Sequence, residues 1–231
     1  MNKTVPRIVE IVGPAGAGKT TLSHALSQCN ESIHLSNFPD VRRISDAPFF
    51  IRNGIQISHS VLSLFQPNRQ RLSRREFAWL SILYGWPRVL QEELKKNKLI
   101  ILDQGPVYLL TEIAEFGPKC LSGKKAEGLM QELYLRWADK LGLIIWLDAA
   151  NTDLLKRIRT RDKEHVIKNE SDEDTSMFLD RYRKAYERTI SKLSANHFGL
   201  KVIRFDTTQN STEVIANQIL FELGFSLANP T

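Results

Sequence analysis

Residues 13–20 read Gly-Pro-Ala-Gly-Ala-Gly-Lys-Thr, and this octapeptide limits what the chain can fold into more than any other stretch of it. It fits the pattern G-x-x-x-x-G-K-[ST]. A short β-branched run, RIVEIV at residues 7–12, stands before it, and residues 20–29 after it carry apolar side chains at helical spacing. A strand, a glycine-rich turn and a helix in that order make a cradle for phosphate. The glycines let the backbone bend and turn its N–H groups inward, and the helix adds its positive end. The spacing assigns Gly13, Pro14, Ala15, Gly16, Ala17, Gly18, Lys19, Thr20 and Thr21 to the phosphates of a nucleotide. Lys19 would reach the β- and γ-phosphates, and the Thr20 hydroxyl would hold Mg²⁺. The competing reading is a tight strand-to-helix turn that binds nothing.

The rest of the chain repeats the strand-and-helix alternation. Residues 99–103 (LIILD) form a continuous apolar run ending on a carboxylate, residues 143–148 (LIIWLD) repeat it, and residues 200–206 (LKVIRFD) are a more polar version. Residues 32–36 supply a further short strand. Strands that are apolar on both sides need cover on both faces, which points to a parallel sheet. Helical stretches fall at 74–96, 125–141, 151–161, 175–195 and 213–223. Gly85 and Pro87 predict a kink or break in the first of these. No linker rich in Pro, Gly or Ser divides the 231 residues, so the expectation is one three-layer α/β domain over residues 1–231 with right-handed crossovers.

Composition narrows the function classes. Apolar residues at 42% and charged residues at 25% exclude wholesale disorder. No apolar run approaches the roughly 20 residues that span a bilayer, and Glu10 interrupts the N-terminal apolar stretch, unlike a secretory signal. Cys29 and Cys120 are isolated, without metal-ligand spacing. These features point to a reducing cytoplasm and no membrane partner. The formal charge is +6, and it is local: residues 42–75 hold Arg42, Arg43, Arg52, Arg69, Arg71, Arg74 and Arg75 against the single acid Asp46. The remainder of the chain balances to zero. Arginine suits bidentate contact with phosphate or carboxylate. A patch this compact argues against a long nucleic-acid stripe, so nucleic acid is unlikely as a partner. For Arg69, Arg71, Arg74 and Arg75 a solvated loop or helix start is the competing reading.

In an open parallel sheet, ligands gather at the carboxyl ends of the strands, which puts Asp103 near the phosphates. It can hold Mg²⁺ through water, take a proton from an attacking hydroxyl, or cap the following helix. Asp148 and Asp206 also end strands and read as structural. Arg157 and Arg161 are four residues apart on one helix face. They either close over a transferring phosphoryl group or form a solvated basic helix end.

Four segments, in order over almost the whole chain, resemble the P-loop small-molecule kinases of the thymidylate kinase and deoxynucleoside kinase group. They are GPAGAGKTT at 13–21, ILDQGP at 101–106, LDAANTDLLKRIRTRDKEH at 147–165 and IRFDTT at 203–208. The first is sharp, and the others persuade by their order. The resemblance implies a five-stranded parallel sheet in 2-3-1-4-5 order, ATP with Mg²⁺, an acceptor-site insert at about residues 37–97 and a lid at about 157–175. It implies catalytic roles for Lys19, Asp103, Arg157 and Arg161, with Thr20 and Asp103 at the metal. The arginine-rich segment then falls in the acceptor site. Arg42, Arg43, Arg52, Arg75 and Gln104 are the expected contacts to a small, anionic, nucleoside- or nucleotide-like acceptor. Gln104 stands where these kinases carry arginine; it can hydrogen-bond an acceptor but supplies no charge. The expected reaction is transfer of the γ-phosphoryl group of Mg·ATP. A regulatory ATPase module without a small acceptor and a polynucleotide 5′-kinase are the alternatives.

Overall fold

A computed structural model of the chain describes residues 7–62, 64, 72–121, 123–161, 170–196 and 199–225. Five strands, β1 (Ile8–Val12), β2 (Ile33–Ser36), β3 (Leu99–Leu102), β4 (Leu143–Asp148) and β5 (Lys201–Asp206), form one parallel sheet in the order β2-β3-β1-β4-β5. This is the expected order. Among the described residues the helices are α1 (Lys19–Cys29), α2 (Ala47–Leu62), α3 (Arg74–Glu93), α4 (Pro106–Thr111), α5 (Glu127–Ala138), α6 (Asn151–Thr160), α7 (Asp172–Ala195) and α8 (Thr212–Glu222). No helix of the described residues is long and apolar enough to cross a membrane.

The side-chain alternation of β1 shows why both faces are covered. Val9 and Ile11 join one apolar cluster with Leu22 and Leu26 of α1, Leu154 and Ile158 of α6, and Ile215 and Ile219 of α8. Ile8 and Val12 join the other, with side chains from α2, α3, α4, α5 and α7. Glu10 shares the second face and is fully buried. It lies opposite Leu102 of β3 on one side and Ile144 of β4 on the other. The register brings the loops that follow β1, β3 and β4 to one edge of the sheet.

Two helices depart from the sequence pattern, the first by showing no break. α3 runs unbroken through Gly85 and Pro87. Pro87 lacks the N–H that the Leu83 carbonyl would accept, and Trp137 of α5 donates its Nε1–H there at 2.8 Å instead. A Cβ on Gly85 would stand 2.3 Å from the Asn53 side chain of α2, so this glycine marks a close helix crossing. The second is α2, which no periodic pattern announced. It buries Asn53, Gly54, Ile57 and Val61 and exposes Ile51, Ile55 and Leu62, so its apolar residues ring the helix and blur the one-sided stripe.

Candidate active site

The loop between β1 and α1 owes its shape to three glycines with positive φ: Gly13 at 146°, Gly16 at 82° and Gly18 at 89°. Close approach also excludes a side chain at Gly13 and crowds one at Gly16. A Cβ on Gly13 would lie 2.0 Å from the Leu147 carbonyl oxygen of β4, and one on Gly16 would lie 3.0 Å from that of Leu154 in α6. The loop is thus wedged between neighbouring elements before any ligand arrives. Lys19 closes it by donating from Nζ to the carbonyls of Gly13 (2.8 Å) and Pro14 (3.0 Å).

Thr20 donates its hydroxyl hydrogen bond to Asp103 Oδ2 at 2.7 Å. The first turn of α1 and the end of β3 therefore meet through the two residues assigned to the metal. Asp103 Oδ1 is buried and has no hydrogen-bond partner, an arrangement that costs free energy unless something fills it. A hydroxyl and a carboxylate with one oxygen to spare are hard donors. They suit Mg²⁺, which takes one or two protein oxygens and completes its shell with water and phosphate.

A cavity of about 640 Å³ opens over the loop, lined by residues 15–22, Gly13, Asp103 and Gln104. Arg157, Arg161, Thr207, Asn210, Tyr108 and Tyr182 also stand in its wall. Arg157 spends its donors on the framework: Nη1 bonds Gly16 O (3.4 Å) and Thr207 Oγ1 (2.8 Å), and Nη2 bonds Thr207 O (3.0 Å). It straps α6 to the phosphate loop and to the turn after β5. That turn is held in its own right by Asp206, which accepts from Thr208 N at 2.8 Å and Thr208 Oγ1 at 2.6 Å. Arg161 caps the C-terminus of α6 and also lines the cavity. Residues 162–169 of the expected lid segment lie outside the described residues.

A second cavity of about 320 Å³ is lined by Asn37, Phe38, Asp40, Arg43, Asp103 and Gln104. Asp103 and Gln104 thus stand in the walls of both. The turn after β2 carries Arg42 and Arg43. Asp40 accepts from Arg42 N through Oδ1 (2.9 Å) and from Arg43 N through its carbonyl (2.9 Å), and Asp46 Oδ2 accepts from Asp40 N (2.9 Å). The four arginines among which the acceptor contacts are expected are placed differently. Among the described residues, Arg43 lines the smaller cavity, whereas Arg42, Arg52 and Arg75 line neither. Arg42, Arg43 and Arg52 are exposed. Arg75 stacks over the Trp79 ring, 4.2 Å from its centroid, and bonds the Tyr108 hydroxyl. Arg69 and Arg71 lie outside the described residues.

Several lining residues have no signal in the linear pattern. Asp40 and Asn37 could have been singled out, since they follow a strand at its ligand-bearing end. Tyr108 and Tyr182 come from helices far apart in the chain and meet only in the fold. Tyr182 donates to the buried Glu112, which opens a single π-helical turn over Glu112–Phe116, a deviation that recurs at functional sites. Burial pushes the Tyr108 hydroxyl up to about 12, and burial with the neighbouring Glu112 pushes Tyr182 up as well. Both remain hydroxyl donors at neutral pH.

No family model matches the chain, and no curated protein matches it in sequence. Among solved structures it is similar to thymidylate kinase from Candida albicans, at 14% identity and a TM-score of 0.54 over 95% of this chain and 91% of that one. It is also similar to deoxyadenosine kinase from M. mycoides with bound dATP, at 13% identity and a TM-score of 0.49 over 94% and 99% of the two chains. The first likeness, at that identity, establishes the architecture: along nearly its whole length this chain has the fold of a P-loop kinase.

Proposed function

We propose that the protein is an ATP-dependent phosphotransferase that moves the γ-phosphoryl group of Mg·ATP to a small nucleoside- or nucleotide-like acceptor. One observation carries the reading: Asp103 accepts the Thr20 hydrogen bond on the phosphate-loop side and stands in the wall of both cavities. A group passing from a nucleotide in the larger cavity to a molecule in the smaller one passes this carboxylate. The acceptor oxygen attacks the γ-phosphorus, the bond to the β-phosphate oxygen breaks, and ADP leaves. Lys19 turns from the loop carbonyls to the β- and γ-phosphates, and the loop amides share that charge. Thr20 and Asp103 would hold Mg²⁺, which offsets phosphate charge when bound. With a hydroxyl acceptor Asp103 is either the base that takes its proton or a group held at the metal, and a phosphate acceptor needs no base. Arg161 approaches the γ-phosphate from the lid side, while Arg157 positions the turn at Thr207. Arg43 and Gln104 contact the acceptor, and Arg43 supplies the positive charge for an anionic one. The chain acts as one domain in the cytoplasm, with its acceptor insert at 37–97 and its lid at 157–175.

The test is incubation with γ-labelled ATP and a panel of nucleosides and nucleoside monophosphates. Label should appear in an acceptor product; ATP loss with no labelled acceptor would favour a regulatory ATPase instead. Lys19→Ala should abolish turnover with an unchanged circular dichroism spectrum and melting temperature. A wild-type rate in that variant removes the loop from the chemistry.

A further inference from the structure

Glu10 is a charged residue type in the middle of the central strand, fully buried on the face that Ile8 and Val12 also occupy. Removing a carboxyl from water is costly unless its oxygens are satisfied. Here they are. Oε1 accepts from Gly105 N and Tyr108 N, each at 3.0 Å, and Oε2 accepts from Val107 N at 2.8 Å. Pro106 between them has no N–H, so one side chain takes every amide that residues 105–108 can offer. A helix usually caps itself with Ser, Thr, Asp or Asn. Residue 105 cannot do so, because a Cβ there would stand 2.6 Å from the Glu10 carboxyl carbon. The cap for α4 is therefore supplied from β1.

The consequence lies one and two residues upstream of Gly105. Gln104 and Asp103 are the residues shared by the two cavities, and they span a short gap. Leu102 is fixed opposite Glu10 in the sheet, and Gly105 is fixed by the Glu10 carboxyl. The same residue pins both ends of the gap, Leu102 through its backbone in the sheet and Gly105 through its carboxyl. Glu10 also stands three residues before Gly13, on the strand that delivers the phosphate loop. The Thr20–Asp103 bond closes this circuit. The groups that face this region from elsewhere are Tyr108 of α4 and Tyr186 and Tyr182 of α7, with Glu112 beyond them. None of them bonds the Glu10 carboxyl, so its geometry is set by the three amides.

We propose that Glu10 is a positioning residue for phosphoryl transfer: by capping α4 from the central strand, it holds Asp103 at the distance from Thr20 that a Mg²⁺-bound nucleotide needs. This rests on the phosphotransferase reading above. It separates nucleotide binding, which belongs to the loop amides and Lys19, from the response to metal, which belongs to the placement of Asp103.

The experiment uses a fluorescent ATP analogue, mant-ATP, titrated with and without Mg²⁺ on the full chain. Four variants are compared with wild type: Glu10→Gln, Glu10→Asp, Gly105→Ala and the double variant Glu10→Asp with Gly105→Ala. Glu10→Gln replaces one accepting oxygen with a donor, and Gly105→Ala pushes the carboxyl from the other side. Both should leave metal-free mant-ATP affinity within about twofold and raise the Mg²⁺ needed for half-saturation at least about fivefold. Glu10→Asp withdraws the carboxyl by one methylene and makes room for the added Cβ. The double variant should therefore need less Mg²⁺ than Gly105→Ala alone, a reversal that independent damage at two sites does not produce. Metal-free affinity that falls in step with the metal response would overturn the proposal, as would an unchanged Mg²⁺ requirement in both Glu10→Gln and Gly105→Ala. If wild-type protein itself binds no mant-ATP, the phosphotransferase reading falls first. Binding that is intact while the metal response is unmoved removes Glu10's role alone.

Discussion

Burial pushes the Glu10 carboxyl up from its ordinary value of 4.5 to about 8, and the three amides offset only part of that. A proton on Oε2 still leaves each oxygen a lone pair, so the acid accepts all three N–H groups in either state. Between about pH 4.5 and about pH 8 the unfolded chain has released this proton and the folded chain keeps it. The folded state binds more protons in that window, so the residue's contribution to stability is full at the acid end and falls as pH rises. The loss is at most about 1.4 kcal/mol per pH unit. The check is the difference in urea-unfolding free energy between wild type and Glu10→Gln, followed from about pH 5 to about pH 8. It should shrink steadily with rising pH, and a flat difference would mean that Glu10 is ionised throughout. In the linear sequence the residue reads only as an interruption of an apolar run. Its partners are 95 to 98 positions away, and no local pattern encodes them. Lys19, Thr20 and Asp103 were legible because local rules place them, either a loop motif or the end of an apolar strand.

At the scale of elements, the strands were readable for the reason that makes them strands here: continuous apolar runs answer to cover on two faces. The helices were less so. α2 is apolar on more than one side, and α3 carries the two residue types that most often end a helix. What keeps α3 whole is a side chain from another helix, the Trp137 indole that bonds the carbonyl which Pro87 leaves without its usual partner. That account is open to a double-mutant cycle. Trp137→Phe should destabilise the protein by about 1–3 kcal/mol from the lost hydrogen bond, with a further loss from poorer packing. In a Pro87→Ala background the restored backbone N–H can serve the Leu83 carbonyl. There the same substitution should cost about 1 kcal/mol less, as read from urea-unfolding midpoints. Equal costs in the two backgrounds would mean that packing against Trp86, not the hydrogen bond, is what Trp137 contributes.

Across the whole molecule the charge excess of the acceptor insert divides by position. Arg42, Arg43 and Arg52 are all exposed, and of the three Arg43 lines the smaller cavity. Composition located the patch, but which arginine reaches a cavity wall depends on how the chain folds around it, which spacing does not encode. The two cavities share only Asp103 and Gln104 in their walls among the described residues, so perturbations at their far ends should act separately. Thr207→Val removes the hydroxyl that Arg157 bonds and should raise the KM for ATP severalfold with little change in the acceptor KM. Arg43→Ala should do the reverse, whereas Arg42→Ala and Arg52→Ala should leave both nearly unchanged. Asp103→Asn, at the junction, should lower kcat at least ~100-fold. The free-energy effects of Thr207→Val and Arg43→Ala on kcat/KM should add to within about 0.5 kcal/mol, because the two residues have no partner in common. A larger coupling would mean that one closing motion serves both cavities, in which case the strap from Arg157 to Thr207 would govern acceptor binding as much as nucleotide binding.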